Sequence, residues 1–213
     1  MTLFPSPTLF AAFVLASVIL ALTPGPDMAL YLSRTLARGR ASGYAALLGA
    51  LSGVVVHTFA AALGLSALIA ASARAYEAVK IAGALYLLYL AWAALRHGAA
   101  LRLDAGEAAA SGRRSDFLTG LLINLTNPKV ILFFVTFLPQ FIDAGDPEPS
   151  RKLFVLGFSF VVIGGLVSAA IIAVAGRFVA AARANPRAAR WFDYGFAGLM
   201  GAFAARLILS VAR

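Results

Sequence analysis

Two short polar stretches interrupt otherwise apolar sequence, at residues 23–27 (Thr-Pro-Gly-Pro-Asp) and 124–129 (Asn-Leu-Thr-Asn-Pro-Lys). Each places an ionisable side chain, Asp27 or Lys129, inside a run long enough to cross a bilayer. Proline removes a backbone donor and clashes with the preceding turn, so a helix tends to end and restart there. In lipid, such a break is tolerated only where protein or a watery cavity covers the freed groups. The two breaks therefore predict a binding site near the middle of the membrane.

The residues of the two breaks suggest which ligand would bind. A helix that restarts at a break presents free N–H groups and a partial positive charge, which attract a carboxylate. Lys129 would add a positive charge for that carboxylate, and Asp27 would bind an amine or a coupling proton. The pattern predicts a site for a small zwitterionic amino acid. The predicted binding residues are Thr23, Pro24, Gly25, Pro26, Asp27, Asn124, Thr126, Asn127, Pro128 and Lys129.

Other interpretations of the same residues stay open. Asp27 and Lys129 could form a structural ion pair that only fixes helix packing, because an isolated charge in the bilayer demands a partner. Asn124, Thr126 and Asn127 could satisfy backbone groups freed by the break, with Asn127 as an N-cap before Pro128. His57, in the second apolar run, is with Asp27 a candidate for proton coupling, or else a hydrogen-bonded packing histidine.

Composition identifies the class of protein. The chain is 62% hydrophobic and 13% charged, with a mean hydropathy of +0.88, which indicates an integral membrane protein. Its net charge of +9 is spread through the connections between apolar runs, so we expect a lipid bilayer and no nucleic acid as partner. The absence of cysteine excludes disulfides and thiolate metal sites. The chain also lacks a Walker A loop, an HExxH motif and a nucleophile elbow, so we expect no enzyme, cofactor or metal.

Six apolar runs are long enough to span the membrane. We therefore predict one all-α transmembrane domain over residues 1–213, with six helices of which the first and fourth are broken at the proline motifs. A cytoplasmic linker would separate two three-helix halves of opposite topology. The first, third and fifth connections hold most of the arginines, which places both termini outside by the positive-inside rule. The runs are 8–32, 43–71, 79–95, 117–142, 153–176 and 192–211; the halves are 1–95 and 117–213, and the linker is 96–116.

Small residues predict one close helix contact. Gly49 and Gly53 form a GxxxG pattern in the second run, and such a pattern lets a neighbouring helix approach closely. That neighbour could belong to the same chain or to a second copy, so a homodimer is possible from the sequence.

Three motifs give the chain a resemblance to the LysE/RhtB family of amino-acid exporters. Residues 23–27 followed by 34–40 (Arg-Thr-Leu-Ala-Arg-Gly-Arg) resemble its opening motif, and 83–92 is similar to its third helix. Asn127-Pro128-Lys129, followed by Leu-Pro-Gln-Phe at 138–141, matches its second signature. The resemblance implies a six-helix exporter of amino acids or their derivatives in the bacterial inner membrane, driven by the proton motive force. It does not determine which solute is exported.

The leading hypothesis is therefore secondary-active export of a small amino acid by alternating access. A non-transporting membrane scaffold, an exporter of another kind of solute, and a membrane enzyme without recognisable motifs are the alternatives.

Overall fold

A computed structural model describes residues 5–65, 72–97, 112–142 and 148–211. These residues form helices joined by short turns, and the described part of the chain contains no strand. The predicted all-α fold is confirmed. Most of the predicted linker, residues 98–111, and the outermost residues at both termini lie outside the described residues. The helices are α1 (Pro7–Leu22), α2 (Pro26–Arg38), α3 (Arg40–Ala60), α4 (Ala73–His97), α5 (Arg113–Thr126), α6 (Pro128–Leu132), α7 (Pro149–Ala173), α8 (Ala175–Ala184) and α9 (Pro186–Val211).

Proline marks where several of these helices begin. It is the first residue of α1, α2, α6, α7 and α9, a position where its missing N–H is not needed and its fixed φ suits the helix. The α1–α2 pair bends by 53° and the pair formed by Arg113–Thr126 and Pro128–Phe141 by 51°. The predicted breaks in the first and fourth runs are therefore confirmed.

Length and apolarity identify several membrane spans among the described residues. Arg40–Gly64 and Pro149–Ala173 are each long and apolar enough to cross a bilayer, and each bent pair also qualifies if it is counted as one span. Helices α4 and α9 cover the remaining two predicted runs. The count of six spans stays a prediction.

Contacts between helix ends indicate how the spans run. Arg38, near the end of α2, contacts Asp116 at the start of α5. Ser150 Oγ in α7 donates to the carbonyl oxygen of Ala62 after α3 (2.7 Å), and Arg190 in α9 donates to the carbonyl oxygen of Leu95 in α4 (3.2 Å). The ends of the first, second and third predicted spans thus lie beside the beginnings of the fourth, fifth and sixth, respectively. Two halves of opposite topology, which stay a prediction, would be arranged in this way.

Glycines form the closest helix contact described, between α3 and α5. A Cβ on Gly49 would lie 1.9 Å from the carbonyl oxygen of Phe117, and one on Gly120 would lie 2.1 Å from that of Ala46. A Cβ on Gly53 would lie 2.5 Å from Oδ1 of Asn124. The GxxxG pattern therefore packs against α5 of the same chain, and the homodimer stays a prediction without support from these glycines.

Two apolar clusters form the core on either side of the breaks. One is rich in aromatic rings and includes a π-helical turn, Phe133–Phe137, that continues α6. In this cluster the ring centroids of Phe133 and Phe160 are 4.5 Å apart, and those of Phe137 and Phe203 are 4.0 Å apart. The other cluster joins α2 and α3 to α7 and α8, and is centred on Leu32 and Ile172. The candidate site lies where these two clusters meet.

Candidate functional site

The first break consists of residues 23–25, between α1 and α2. Thr23 closes α1, because its N–H bonds to the carbonyl oxygens of Ile19 (3.0 Å) and Leu20 (3.3 Å) and its hydroxyl donates to Ile19 (2.7 Å). Gly25 precedes α2 without any side-chain cap, and Pro26 is the first helical residue. Asp27 therefore lies in the first turn of α2, where a negative charge suits the helix dipole.

The second break consists of one residue, Asn127, between α5 and α6. Its side-chain oxygen accepts a hydrogen bond from the N–H of Lys129 (3.0 Å), and Pro128 begins the helix. The N-cap predicted at Asn127 is therefore confirmed. Asn124, one turn earlier, is 1% exposed and Asn127 is 2% exposed. Both amides are thus buried, and each requires partners.

Asp27 accepts hydrogen bonds from both amides of the second break. Its Oδ2 lies 2.9 Å from Nδ2 of Asn124 and 2.9 Å from Nδ2 of Asn127. Its other oxygen, Oδ1, is buried and has no hydrogen-bond partner within the described part of the chain. One oxygen therefore fixes the carboxylate in place while the other retains its capacity to accept a proton or an N–H donor.

Lys129 contacts backbone oxygens of the first break. Its Nζ donates to the carbonyl oxygens of Thr23 (3.0 Å) and Leu20 (3.4 Å). Ion pairs in the described part of the chain include those of Arg34 and Arg38 with Asp116 and of Arg151 with Glu148, and none there joins Asp27 to Lys129. The direct structural pair considered from the sequence is therefore not formed. An ammonium has three N–H donors, so one remains for another partner.

His57 contacts the second break from α3. Its Nε2 lies 3.2 Å from the backbone carbonyl oxygen of Asn124, and its ring stacks on Phe134 with centroids 5.8 Å apart. This carbonyl lies in the last turn of α5 and also accepts the N–H of Asn127 (3.0 Å). The contact fits the packing interpretation of His57, and its role in proton coupling stays a prediction.

A small cavity of about 60 Å³ opens beside the two breaks, below the range of about 300–1,000 Å³ typical of small-molecule sites, so the site is largely closed in this conformation. Of the predicted residues, Thr23, Asp27, Asn124 and Lys129 line it. Asn127 does not line the cavity, but its side-chain amide donates a hydrogen bond to Asp27. Thr126 points elsewhere, since it is exposed and its hydroxyl bonds to Leu122 of its own helix (2.9 Å). Pro24, Gly25, Pro26 and Pro128 shape the breaks without lining the cavity.

The rest of the lining was not predicted from the sequence. Tyr31 lies one helical turn after Asp27, and its hydroxyl donates to Ser168 Oγ in α7 (3.3 Å). The four-residue spacing of Asp27 and Tyr31 is a signal that could have identified Tyr31. Five further lining residues are apolar and come from helices that carry no break: Leu47, Ala50, Leu51 and Val54 of α3, and Phe160 of α7.

The cavity thus combines a charged end with an apolar wall. Asp27 and Lys129 provide one negative and one positive group at the breaks, and α3 and α7 provide aliphatic and aromatic surface. No group of three or more His, Asp or Glu side chains that could share a metal ion occurs in the described part of the chain. This lining is complementary in charge and polarity to a small molecule that carries both charges and an apolar substituent.

Comparisons with known proteins identify the family. The profile of the LysE type translocator family matches residues 18–211. The chain is 35% identical to an uncharacterized membrane protein of Pseudomonas aeruginosa, across 93% of this chain and 94% of the relative. It is 32% identical to a leucine efflux protein of Klebsiella pneumoniae across 80% of each chain, and 30% identical to one of Salmonella typhimurium across 71% of each. No solved structure matches the chain. The chain therefore belongs to the LysE type translocator family, and it is a multi-pass membrane transporter rather than an enzyme.

Proposed function

We propose that the protein exports a small amino acid with an apolar side chain across the bacterial inner membrane. The observation that carries this proposal is the state of Asp27, whose Oδ2 is held by two amides while its Oδ1 is unpartnered in a cavity shared with Lys129. Oδ1 would accept the substrate's ammonium group, and the remaining N–H of Lys129 would donate to its carboxylate. The names of the leucine efflux relatives support the same substrate class.

The apolar wall would select the side chain of the substrate. Leu47, Leu51 and Val54 of α3 face the cavity together with Phe160 of α7, so an aliphatic side chain would replace water against them. A charged side chain would lose its hydration there without gaining a partner. Leucine and similar amino acids are therefore the first candidates.

Proton coupling would follow from competition at one atom. A proton and a substrate ammonium both require Oδ1 of Asp27, so the carboxylate can hold either of them at a time. Export would then occur when a proton enters from outside and replaces the departing substrate. His57 is the second candidate for the group that couples export to protons. The proposal also includes an orientation of the protein in the membrane with both termini outside.

Counterflow in proteoliposomes tests the proposal. Purified protein is reconstituted with unlabelled amino acid inside, and uptake of labelled leucine, threonine, homoserine and lysine is compared. We expect leucine to exchange, and Asp27→Asn and Lys129→Met to lower its rate by about 10- to 150-fold, because hydrogen bonds to charged groups contribute about 1.5–3 kcal/mol. Glu148→Gln is the matched control, since Glu148 is an exposed carboxylate paired with Arg151 before α7.

Other outcomes would point to the alternatives. Parental rates in folded Asp27→Asn protein would contradict the role of Asp27. If none of the amino acids exchanges, the chain exports a different class of solute or acts as a scaffold. An imposed pH gradient, acidic on the side to which the labelled substrate moves, should accelerate export in the parental protein and not in Asp27→Asn.

A further inference from the structure

The ammonium of Lys129 occupies a place formed by the backbone of another helix. Its two acceptors are the carbonyl oxygens of Leu20 and Thr23, at 3.4 and 3.0 Å. Both lie at the C-terminal end of α1, where the helical hydrogen bonds end, and the carbonyl oxygen of Leu20 also accepts the N–H of Thr23 (3.3 Å). Gly25 provides the space, because a Cβ there would lie 3.0 Å from Nζ. Lys129 comes from α6, so its side chain reaches the break from a different helix pair.

Carbonyl oxygens at the end of a broken helix are ligands suited to a small cation. In transporters with discontinuous helices, unwound carbonyls and the C-terminal ends of half-helices coordinate the driving ion. The negative end of the α1 dipole adds to this preference. Asp27 contributes a negative charge to the same cavity, with Oδ1 unpartnered. A positive charge is therefore required here, and Lys129 supplies it through a covalent tether.

We propose that the carbonyl end of α1 is a monovalent-cation site that Lys129 fills with its own ammonium group. Transport by the parental protein is then independent of Na⁺ and K⁺. Truncation of the lysine side chain opens the site to a free cation. This proposal goes beyond export itself, because it concerns cation binding that is measurable without any substrate.

Thermal unfolding of purified variants tests the site directly. Tm is measured in N-methylglucamine chloride, NaCl, KCl and methylammonium chloride at equal ionic strength. Lys129→Ala leaves the carbonyl oxygens open and removes the side-chain stem, so we expect at least one small cation to raise its Tm by about 2–5 °C relative to N-methylglucamine. Lys129→Met retains an apolar side chain of similar length in place of the lysine stem. We expect the Tm of this variant to be independent of the salt, and likewise the Tm of the parent.

Two controls separate this site from general salt effects. Lys152→Ala removes a lysine from the beginning of α7, away from the α1 carbonyls, and its Tm should not depend on which cation is present. The double variant Asp27→Asn with Lys129→Ala removes the negative charge as well, so it should lose most of the cation response.

Restoring the ammonium chemically gives a second test. The chain has no cysteine, so the thiol of Lys129→Cys can be alkylated selectively with 2-bromoethylamine to give a side chain of lysine's length that ends in an ammonium. Aminoethylation should abolish the cation response of Lys129→Cys, whereas modification with a neutral methyl group should not restore the parental stability.

Several results would overturn the proposal. These are an equal Tm of Lys129→Ala in all four salts, an equal cation response in Lys129→Met, or a parental Tm that rises specifically with Na⁺ or K⁺. The parental measurement applies even if the truncated variants do not fold. Absence of counterflow in the parental protein, with the Tm pattern intact, would count against the proposed export function and leave the cation site standing.

Discussion

The first break offers hydrogen-bond acceptors, whereas the second offers donors. The acceptors at or beside the first break are the carbonyl oxygens of Leu20 and Thr23 and the carboxylate of Asp27. The donors at or beside the second break are the amides of Asn124 and Asn127 and the ammonium of Lys129. Each break therefore satisfies the other, and the charges of Asp27 and Lys129 are held by neutral groups. Because the two charges do not form an ion pair with each other, both are available to the zwitterionic ligand that we propose.

The breaks also differ in how firmly they are held. The second is one residue long, Asn127, and this residue and Asn124 in the preceding turn of α5 are buried and bonded to Asp27. The first is three residues long, and α2 begins without a side-chain cap. Glycine at 25 leaves this segment with little side-chain packing of its own. We therefore expect the first break to change conformation during transport while the second acts as its fixed counterpart.

The largest expected effect comes from removing a donor of the second break. Asn127→Ala loses both the N-cap, about 1 kcal/mol, and a hydrogen bond to a charged group, about 1.5–3 kcal/mol. Asn127→Ser retains a capping hydroxyl and loses only the bond to Asp27. We expect Asn127→Ala to unfold at lower SDS than Asn127→Ser in mild detergent, and both to lose counterflow.

The neighbouring threonine provides the control for this comparison. Thr126→Ala removes a hydroxyl that bonds only to carbonyl oxygens of its own helix, at Leu122 and Ile123. Its unfolding free energy should change by less than about 0.5 kcal/mol. Equal stability of Asn127→Ala and Thr126→Ala would contradict the view that the second break is the fixed one.

An intermediate effect is expected from the glycine that packs against the second break. A Cβ on Gly53 would lie 2.5 Å from Oδ1 of Asn124 and 2.9 Å from its Cβ. Gly53→Ala should therefore displace Asn124 from Asp27 and destabilise the fold by about 1–3 kcal/mol through overpacking. Thermal unfolding and leucine counterflow measure the two consequences.

A double-mutant cycle identifies the contact responsible. In the Asn124→Ala background the amide is absent, so Gly53→Ala should cost less than in the parent. Gly198→Ala in α9 is the matched control, because within the described residues a Cβ there would meet no atom within 4 Å apart from its own stretch of helix. Additive effects of Gly53→Ala and Asn124→Ala would exclude Asn124 as the group that is displaced.

Local chemistry made the breaks predictable from the sequence. Proline acts on the residues next to it, so the ends of α1 and α5 and the N-cap at Asn127 follow from a few neighbouring residues. The partners of Asp27 and Lys129 depend instead on how the two helix pairs meet. Two opposite charges suggested an ion pair, but the structure gives amides to one and carbonyl oxygens to the other.

The residues of the cavity wall could not be predicted from the sequence for a similar reason. Leu47, Leu51 and Val54 are ordinary residues of an apolar span, and only the packing of α3 against α2 and α7 turns them toward the breaks. The GxxxG pattern had the same ambiguity, because α5 and a second copy of the chain are equally apolar partners until the glycines are located.

The smallest effect is expected at the glycine of the first break. Gly25 has a φ of −171°, an extended conformation open to any residue, and a Cβ there would contact only the flexible end of Lys129, at 3.0 Å from Nζ and 3.4 Å from Cε. Gly25→Ala should therefore change the unfolding free energy by less than about 1 kcal/mol, well below the effect of Gly53→Ala. The added methyl group should still move the ammonium away from the α1 carbonyls and alter the counterflow rate. The Lys129→Ala background removes the three nearest contacts of the methyl group, so the effect of Gly25→Ala on Tm should disappear there. If the effect persists, the alanine acts on the backbone of the break, and the first break is as rigid as the second.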